Sequence, residues 1–532
     1  MTAEQILAAL DADAVLAQLH AAHDEAAAAA DQLEAGEATA AAAGKDGEGS
    51  RSQASRLVAM AEESYRFVLG SDGKAYAVAA GGPNVAVPLR GRDGLRSRLA
   101  RTYYARTGTA PTASALADSL AVVEGMAADT EPEPIHLRVA PMPELAGAVV
   151  LDLGDPTGRV IVTRPGSWQL VEASPVLFRR TTLTHALPVP GLGHDLAELR
   201  ELLNVDDAGF GLIVAWLLAA LVPTIPHPIL ALTGEQGTAK STAATFLVSL
   251  IDPSPAPLRT PPRDVRSWAV AASASWTVAL DNVSSIAPWL SDTLCKAVTG
   301  DGIVDRALFT DDDVTVLAFR RVIAITSIDA GALAGDLAER LLPVELQRID
   351  PTARRGDDEL RARYADAHPG ILGALLDLLS DVLAALPGVQ LDQLPRMADF
   401  ARLLAALDTV TGWTTLDSYA TATSDATEAV LDADPVATAV RELLAGQAVG
   451  WTGTATQLLE LLTADPAPRD FPKTARKLSG QLRRLAPALL AAGIDTRFSK
   501  TEKDRLVHLH HVPGEQSREP PSIPTRPSRH PP

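Results

Sequence analysis

The chain has 532 residues, which is more than one ordinary core organises, so we expect several domains. The apolar fraction of 47% and the charged fraction of 21% are typical of a globular protein. The net charge of −19 argues against indiscriminate binding to polyanions, although it is compatible with a local basic surface. The only cysteine, Cys295, excludes an internal disulfide framework, and Met1–Leu10 lacks a signal-peptide pattern, so we expect a cytoplasmic protein.

The sequence changes character several times, which predicts a series of domains. Short apolar runs between turn signals indicate strands at Tyr65–Leu69, Ala75–Ala79, Ala148–Leu153 and Val160–Thr163. Farther along, Ile371–Leu386 has the pattern of an amphipathic helix. The predicted order is a helical segment with a flexible linker (1–54), an α+β accessory domain of unassigned role (55–195), an α/β domain (196–350), a helical domain (351–434), a last compact domain (435–512) and a disordered tail (513–532).

One stretch is apolar enough to raise the question of a membrane. Phe210–Val222 has about 13 residues and is closed by Pro223, whereas a membrane span needs roughly 20 apolar residues. We therefore predict a buried helix there and no membrane partner.

The central motif is a glycine-bearing loop between a predicted strand, Pro228–Thr233, and a predicted helix, Ala243–Leu250. Strand, loop and helix in this order are the context that a phosphate-binding P-loop requires. Glycines let backbone N–H groups cradle phosphate oxygens, and the helix N-terminus adds partial positive charge. Lys240 would reach the β- and γ-phosphates of ATP, and the Ser241 hydroxyl would hold Mg²⁺. The predicted ATP-binding residues are Gly234, Glu235, Gln236, Gly237, Thr238, Ala239, Lys240, Ser241 and Thr242.

The loop departs from the general P-loop pattern at Ala239, which stands where a second glycine is expected. Gly237 remains, and alanine is small enough to be tolerated there. The alternative is a chance glycine-rich turn before a helix, but the residues that follow favour the phosphate loop.

Two later apolar runs each end in a polar residue that suits nucleotide chemistry. Trp276–Leu280 ends at Asp281, a carboxylate placed as in a Walker B strand to hold Mg²⁺ beside Ser241. Arg321–Ile325 ends at Thr326, which could orient an attacking water as a sensor residue does. We therefore predict Mg²⁺ at Ser241 and Asp281, and a catalytic role for Thr326.

A fourth apolar run, Leu341–Leu346, follows Arg340. An arginine at this location can act in trans on the γ-phosphate bound by a neighbouring subunit. Arg340 is therefore a predicted catalytic residue, together with Lys240, Asp281 and its neighbour Asn282.

These residues resemble a known family. The loop Gly234–Ser241 is similar to that of the minichromosome maintenance helicases, and Leu294–Phe309 resembles the segment after Walker B in superfamily 3 helicases of phages and plasmids. Asp281–Gly300 and Pro395–Phe400 resemble blocks of phage- and mobile-element-type ATP-binding proteins of actinobacterial character. The resemblance spans roughly residues 55–512. It implies a P-loop, AAA+-type ring ATPase that works on DNA.

Two residues depart from that family's pattern. Asn282 stands where an acid usually polarises the attacking water, and an amide cannot accept the proton of that water. Glu235 and Asp301 are candidates to supply the acid. Thr326 replaces the usual sensor asparagine, so slow turnover is expected more than loss of nucleotide binding.

Two surfaces are candidates for DNA contact. In superfamily 3 proteins a hairpin after Walker B touches DNA in the ring channel, and the matching stretch offers Lys296 and Arg306. Acidic residues interrupt this stretch, so the alternative is a solvated acidic loop in which both basic residues are structural.

The second surface lies in the last domain, where helices at Ala455–Leu462 and Thr474–Leu490 precede strands at Ile494–Phe498 and Arg505–His511. This order predicts a winged helix. Between residues 469 and 505 there are ten basic residues against four acidic ones, which suits phosphate contacts. The alternative is a protein-docking module. The predicted DNA contacts here are Arg476, Lys477, Arg483 and Arg484.

The predicted fold is thus an α/β P-loop AAA+-like core with an N-terminal α+β domain and a C-terminal winged helix. We expect an ATP- and Mg²⁺-dependent, helicase-like motor that handles DNA for a mobile element and assembles with itself into a ring, a hexamer being one candidate. The alternatives are a nucleotide-gated DNA-binding switch with little hydrolysis, and an assembly or defence ATPase whose winged helix binds protein.

Overall fold

The computed structural model describes residues 52–300, 302–306, 314–327, 335–445, 450–463, 471–501 and 504–512. The predictions for residues 1–51 and 513–532 lie outside this range. Among the described residues, 52–327 and 340–422 form one compact unit, and 335–339 and 423–512 form another. The chain is a mixed α/β protein.

The first unit begins with three helices and a small antiparallel sheet. Their shared core contains Leu57 and Leu120, together with Leu95, Leu99 and Tyr103, whose i, i+4, i+8 spacing puts all three on one helix face. The sheet order is β1-β2-β3, with β1 and β2 at the predicted positions. The elements are α1 (Gln53–Ser64), β1 (Tyr65–Leu69), β2 (Ala75–Ala79), β3 (Ala86–Pro88), α2 (Leu95–Thr107) and α3 (Ala113–Ala128).

A second antiparallel sheet follows, in the order β5-β6-β7-β8. Its central strands, β6 and β7, are buried along almost their whole length, and they lie where the sequence predicted strands. Two short flanking strands, β4 and β9, pair in parallel. The elements are β4 (Ile135–His136), β5 (Val139–Pro141), β6 (Val149–Asp152), β7 (Val160–Arg164), β8 (Ser167–Val171) and β9 (Leu177–Phe178).

Five parallel strands in the order β11-β12-β15-β10-β16 form the sheet that positions the candidate site. Every residue of β10, β12 and β15 is buried, and a helix or longer crossover connects successive parallel strands. The elements are α4 (Ala197–Leu202), α5 (Asp207–Ala220), β10 (Ile229–Thr233), α6 (Lys240–Ile251), β11 (Leu258–Arg259), α7 (Val265–Ala274), β12 (Thr277–Leu280), α8 (Pro288–Thr299), β13 (Gly302–Arg306), β14 (Val314–Ala318), β15 (Val322–Thr326) and β16 (Leu341–Glu345).

Helix α9 (Asp357–Ala385) is followed by α10 (Ala398–Thr411) and α11 (Thr415–Ala433). By length and composition α9 could cross a membrane, but 61% of its most apolar window is buried inside the protein, as in a core helix. Residues 371–376 are all buried, so the predicted one-sided pattern is wrong for this first part of the stretch. The one-sided pattern is present only from Asp377 onward, where exposed positions recur at 377, 381 and 384.

A loop of the first unit lies directly against α9. The backbone N–H of Gly191 donates to the carbonyl oxygen of Pro369 at 2.7 Å. A Cβ atom at Gly373 would lie only 1.7 Å from the carbonyl oxygen of Gly191, so the two backbones touch where neither residue has a side chain.

The second unit has its own core and an antiparallel sheet in the order β17-β19-β18. Leu458, Leu478, Leu482 and Leu509 are fully buried in that core. Thr454 and Gln457 form a reciprocal capping box at the start of α13. The elements are α12 (Pro435–Ala445), β17 (Trp451–Thr454), α13 (Ala455–Leu462), α14 (Ala475–Ala491), β18 (Ile494–Lys500) and β19 (Arg505–His511), so the two predicted helices and two predicted strands are confirmed.

Candidate functional site

The loop between β10 and α6, here called the glycine loop (Gly234–Ala239), needs unusual backbone angles. Gly234 has φ +136°, and a Cβ there would lie 2.7 Å from the carbonyl oxygen of Leu346. Gly237 has φ +84° and Ala239 has φ +61°, both left-handed. The left-handed region costs a residue with a Cβ roughly 1–2 kcal/mol. The alanine at the expected glycine position is therefore held in a glycine-like conformation.

Lys240 is the first residue of α6, and its side chain turns back over the glycine loop. Its Nζ donates to the carbonyl oxygens of Gly234 at 2.6 Å and Glu235 at 2.7 Å. Burial lowers the pKa of Lys240, and the negative charge of Asp281 opposes this shift. The ammonium group is thus held above the loop and within the electrostatic influence of the Asp281 carboxylate.

Asp281 follows β12, and one of its carboxylate oxygens accepts hydrogen bonds from two hydroxyl groups. Its Oδ1 accepts hydrogen bonds from Ser241 Oγ at 2.8 Å and from Thr326 Oγ1 at 2.6 Å. The backbone N–H of Asn282 in turn donates to Thr326 Oγ1 at 2.8 Å. The structure therefore brings Lys240, Ser241, Asp281 and Thr326 together at the carboxyl ends of three adjacent parallel strands.

Thr326 and Asn282 both lie next to Asp281, one buried and the other exposed. The Thr326 side chain is buried, and its hydroxyl is engaged with Asp281 and with the backbone of Asn282, so it fixes the carboxylate. Asn282 is exposed and left-handed, with φ +55°. Asn282 and Ala239 are the two non-glycine residues with positive φ in the described part of the chain, and both border this site.

A divalent cation suits the oxygen atoms present. Hydroxyl and carboxylate oxygens are ligand types that Mg²⁺ prefers. Because the Ser241 hydroxyl donates its hydrogen bond to Asp281, the lone pairs of the Ser241 oxygen stay available to a cation. Asp281 also has a second carboxylate oxygen, Oδ2. The residues present therefore fit the predicted Mg²⁺.

A cavity of about 520 Å³ borders the glycine loop at Gly237, Thr238 and Ala239. A Cβ at Gly237 would lie 3.5 Å from Nη2 of Arg354, which places this exposed guanidinium beside the loop. Sequence reasoning missed this cavity because its three contributing segments are far apart in the chain and carry no shared motif. The lining residues include Glu201, Leu203, Asn204, Thr238, Thr242, Leu346, Ile349, Arg354 and Leu360.

Arg340 lies at the opposite end of the sheet from the glycine loop. It precedes Leu341, which pairs with Ile229 at the start of β10, about 13 Å from the carboxyl end of that strand. Its Nη1 donates to Cys295 Sγ at 3.4 Å. Arg340 therefore lies at the end of the sheet opposite to Asp281 of its own chain.

The other predicted site residues have separate places. Lys296 is exposed in the last turn of α8, just before the β13–β14 hairpin. Arg306 is the last residue of β13, and its side chain lies outside the described atoms. The Glu235 side chain is exposed, and Asp301 lies outside the described residues.

Helix α14 presents the predicted basic face of the second unit. Leu478, Leu482, Leu485 and Leu489 are buried, whereas the four predicted DNA-contacting residues are exposed. Arg483 also covers the ring of Phe498, at 4.4 Å from the ring centroid. The exposed basic residues are Arg476, Lys477, Arg483 and Arg484.

Comparison with known proteins gives matches to family models in two adjacent regions. Residues 196–429 match the actinomycete integrative conjugative element replication protein. Residues 436–524 match the C-terminal domain of that replication protein, RepA. Among curated proteins, no similar sequence was found.

Solved structures give weaker likenesses. The apo structure of the NrS-1 C-terminal region (305–718) has a TM-score of 0.36 and 11% identity, over 87% of this chain and 100% of that one. The X-ray structure of JCV helicase has a TM-score of 0.20 and 13% identity, over 44% of this chain and 72% of that one. Structural similarity at this level carries no conclusion about this chain. Residues 196–429 and 436–524 are similar to two parts of a replication protein of actinomycete integrative conjugative elements.

Proposed function

We propose that this chain is a cytoplasmic, ATP-hydrolysing, helicase-like motor that handles DNA during replication of a mobile element. One observation carries the proposal. Ser241 and Thr326 both donate to the same oxygen of Asp281, beside a glycine loop that ends at Lys240. Hydroxyl, carboxylate and ammonium groups in this arrangement are those of a P-loop nucleotide site. The match of residues 196–429 to a replication protein supports the link to DNA.

Each residue has a distinct task in this proposal. The glycine loop N–H groups and Lys240 neutralise the charge of the ATP phosphates, and the lysine leaves the loop carbonyls to do so. Ser241 and Asp281 would hold Mg²⁺, which when bound neutralises charge on the phosphate oxygens. Thr326 keeps the Asp281 carboxylate in one orientation. The cavity beside Gly237 and Thr238 has room for the base and ribose.

The water-activating group is the least complete part of this site. Asn282 is exposed next to Asp281 and can orient a water molecule, but an amide cannot accept its proton. This favours slow hydrolysis, and it keeps the alternative of a nucleotide-gated DNA-binding switch that binds ATP with little turnover.

The proposed motor also needs a DNA contact and a partner subunit. The helix order and exposed basic face of α14 support a winged helix that binds DNA phosphates. The distance of Arg340 from Asp281 of the same chain supports a shared site between subunits of a ring. If the second unit binds protein instead, the alternative is an assembly or defence ATPase.

The test is an ATPase assay with no DNA, single-stranded DNA and duplex DNA, run together with sizing in ATP. DNA-stimulated turnover by a ring-sized assembly is the expected result. Tight ATP binding without turnover would favour the switch, and ATP turnover without DNA affinity would favour the assembly ATPase.

Three variants connect the assay to the site. Lys240→Ala should lose most affinity for fluorescent ATP, because the loop backbone alone cannot neutralise the phosphates. Asp281→Ala should keep much of that affinity and lose Mg²⁺-dependent turnover. Lys74→Ala, which removes an exposed lysine paired with Asp72, is the matched control. Equal ATP affinity in wild type and Lys240→Ala would exclude the assignment.

A further inference from the structure

We infer that the N-terminal part of the first unit carries a binding site for single-stranded DNA, separate from the nucleotide site and from helix α14. The site consists of helix α2, the loop before it and the cavity that they border. The sequence between residues 90 and 106 contains six arginines and one acid, Asp93, in a chain whose net charge is −19. We call this set the arginine patch: Arg90, Arg92, Arg96, Arg98, Arg101 and Arg106.

The fold concentrates these charges. Helix α2 buries Leu95, Leu99 and Tyr103 in the core, so its remaining positions face outward. Arg98, Arg101 and position 104 are three positions apart in succession, so each neighbours the next on the helix surface. The helix begins at Leu95, after the N-cap Gly94, and no side-chain cap or acidic residue in its first turn offsets its partial positive charge.

Several of the arginines are available to a ligand. Arg92 and Arg101 are exposed and have no acidic partner among the described residues. Arg98 donates its Nε to the carbonyl oxygen of Asp93 at 3.3 Å, an interaction that leaves its other N–H groups for a ligand. By contrast, Arg90 pairs with Glu124 and Arg106 pairs with Glu63, both on the surface.

A cavity of about 660 Å³ borders the N-terminal end of helix α2. Arg92 and Arg98 line it from one side, and Arg179 and Arg180 line it from the other. Arg180 pairs with Asp152, and Arg179 donates to the carbonyl oxygen of Ser273, so polar contacts hold both guanidinium groups in place. A concave surface bordered by guanidinium groups suits phosphate oxygens.

An exposed aromatic ring identifies the type of nucleic acid. Tyr104 is 59% exposed although it is a large apolar residue. It lies six residues beyond Arg98, about 9 Å farther along the helix axis. Unpaired bases stack on aromatic rings, whereas the bases of a duplex are already stacked. Phosphate-binding arginines beside an exposed tyrosine therefore favour a single strand over a duplex.

The experiment measures binding of full-length protein to fluorescein-labelled oligo(dT) of about 20 nucleotides, long enough for one site. ATP is omitted, and Arg476, Lys477 and Arg484 are replaced by alanine in all samples to remove the contribution of α14. Arg92→Ala with Arg101→Ala is compared with the control pair Arg66→Ala and Arg361→Ala. The control removes the same charge from exposed ion pairs.

We expect the patch pair to lower oligo(dT) affinity roughly tenfold and to reduce the log–log salt slope by about 1.4, or 0.7 per phosphate contact. The control pair should change neither. Tyr104→Ala should lower affinity about tenfold, and Tyr104→Phe should retain it, because a ring is what stacks. Equal affinities in the patch and control pairs would overturn the inference. Duplex binding that depends on the patch but not on Tyr104 would also overturn it in favour of a duplex site.

The inference and the proposed motor can fail separately. Oligo(dT) binding is measured without ATP, whereas turnover of the same variants without DNA reports on Lys240 and Asp281. Loss of turnover with intact patch-dependent binding would count against the motor alone. Normal turnover with no effect of the patch variants would count against the single-strand site alone.

Discussion

Arg138 and Asp252 form a buried ion pair in which Arg138 Nε lies 2.9 Å from Asp252 Oδ1. The other carboxylate oxygen of Asp252 accepts from the backbone N–H groups of Trp276 and Thr277, where β12 begins. Asp252 itself ends helix α6, which starts at Lys240. One carboxylate thus connects the N-terminal sheets to the helix and the strand that carry the candidate site.

Removal of Arg138 should strongly destabilise the protein. Arg138→Met leaves the Asp252 charge buried without its partner, and breaking such a pair costs about 3–5 kcal/mol. Arg66→Ala is the control, because its pair with Glu133 is exposed and worth about 0–1 kcal/mol. Urea unfolding monitored by circular dichroism measures both. Similar midpoints for the two variants would mean that the buried pair does not connect the two regions energetically.

Thr326 should affect turnover through the orientation of Asp281. Thr326→Val keeps the shape of the side chain and removes the hydroxyl that donates to Asp281, so we expect ATP turnover to fall about 10–100-fold, as for other groups that hold a metal ligand. Thr326→Ser keeps the hydroxyl and should retain most activity. ATP binding without Mg²⁺ should be unchanged in both variants. If valine and serine have equal rates, the hydroxyl does not position the carboxylate.

Replacement of Ala239 by glycine should stabilise the protein. The Ala239 φ of +61° strains a residue with a Cβ, and Ala239→Gly removes this strain at some cost in chain entropy, for an expected net gain of about 1 kcal/mol. Ala239→Val should destabilise, because a β-branched side chain fits the left-handed region poorly. Thermal unfolding measures the ranking glycine, alanine, valine. A glycine variant less stable than wild type would show that the loop is relaxed with alanine.

Arg340 should act on a site in a neighbouring subunit. Its position about 13 Å from the carboxyl end of β10 keeps it away from Asp281 of its own chain. Arg340→Ala should therefore bind ATP and fail to hydrolyse it. Mixing this variant into wild type should lower activity more steeply than its fraction. A strictly linear decrease would mean that subunits do not share sites.

Helix α14 should give DNA binding a steep salt dependence. About four to six phosphate contacts on a duplex predict a log–log slope of roughly −0.9 per contact, and more than a hundredfold weaker binding between about 50 and 200 mM salt. Changing Arg476, Lys477, Arg483 and Arg484 to glutamate should flatten the slope and spare ATP binding. Because Arg483 also covers Phe498, the triple variant that keeps Arg483 controls for misfolding. Unchanged duplex affinity in both variants would make this unit a docking module.

The sequence predicted those elements of the fold whose positions follow from a local pattern of apolar residues. Apolar runs located β10, β12, β15 and β16 to within one residue at either end, because largely buried parallel strands consist of such runs. The helix after the glycine loop starts at Lys240, three residues before its predicted start, because Ala239 turns the chain immediately before it. Strand β17 was not predicted, since four residues that include Gly453 give almost no pattern.

Relationships between distant residues were not predictable in this way. Arg138 and Asp252 are 114 residues apart, and neither belongs to a recognisable motif. The hydrogen bond from Thr326 to Asp281 depends on β15 lying next to β12, which becomes known only with the strand order. The residues of the candidate site could therefore be named from the sequence, whereas the bonds among them required the sheet.

The contact of Gly191 with helix α9 restricts which mutations the protein tolerates at Gly373. Gly373 has no room for a Cβ, because that atom would overlap the Gly191 carbonyl. Every single-base change of a glycine codon that gives another amino acid introduces a Cβ. First- and second-base changes of the Gly373 codon therefore give no residue that this contact accepts, so glycine persists at position 373 as long as the Gly191 backbone stays against the helix.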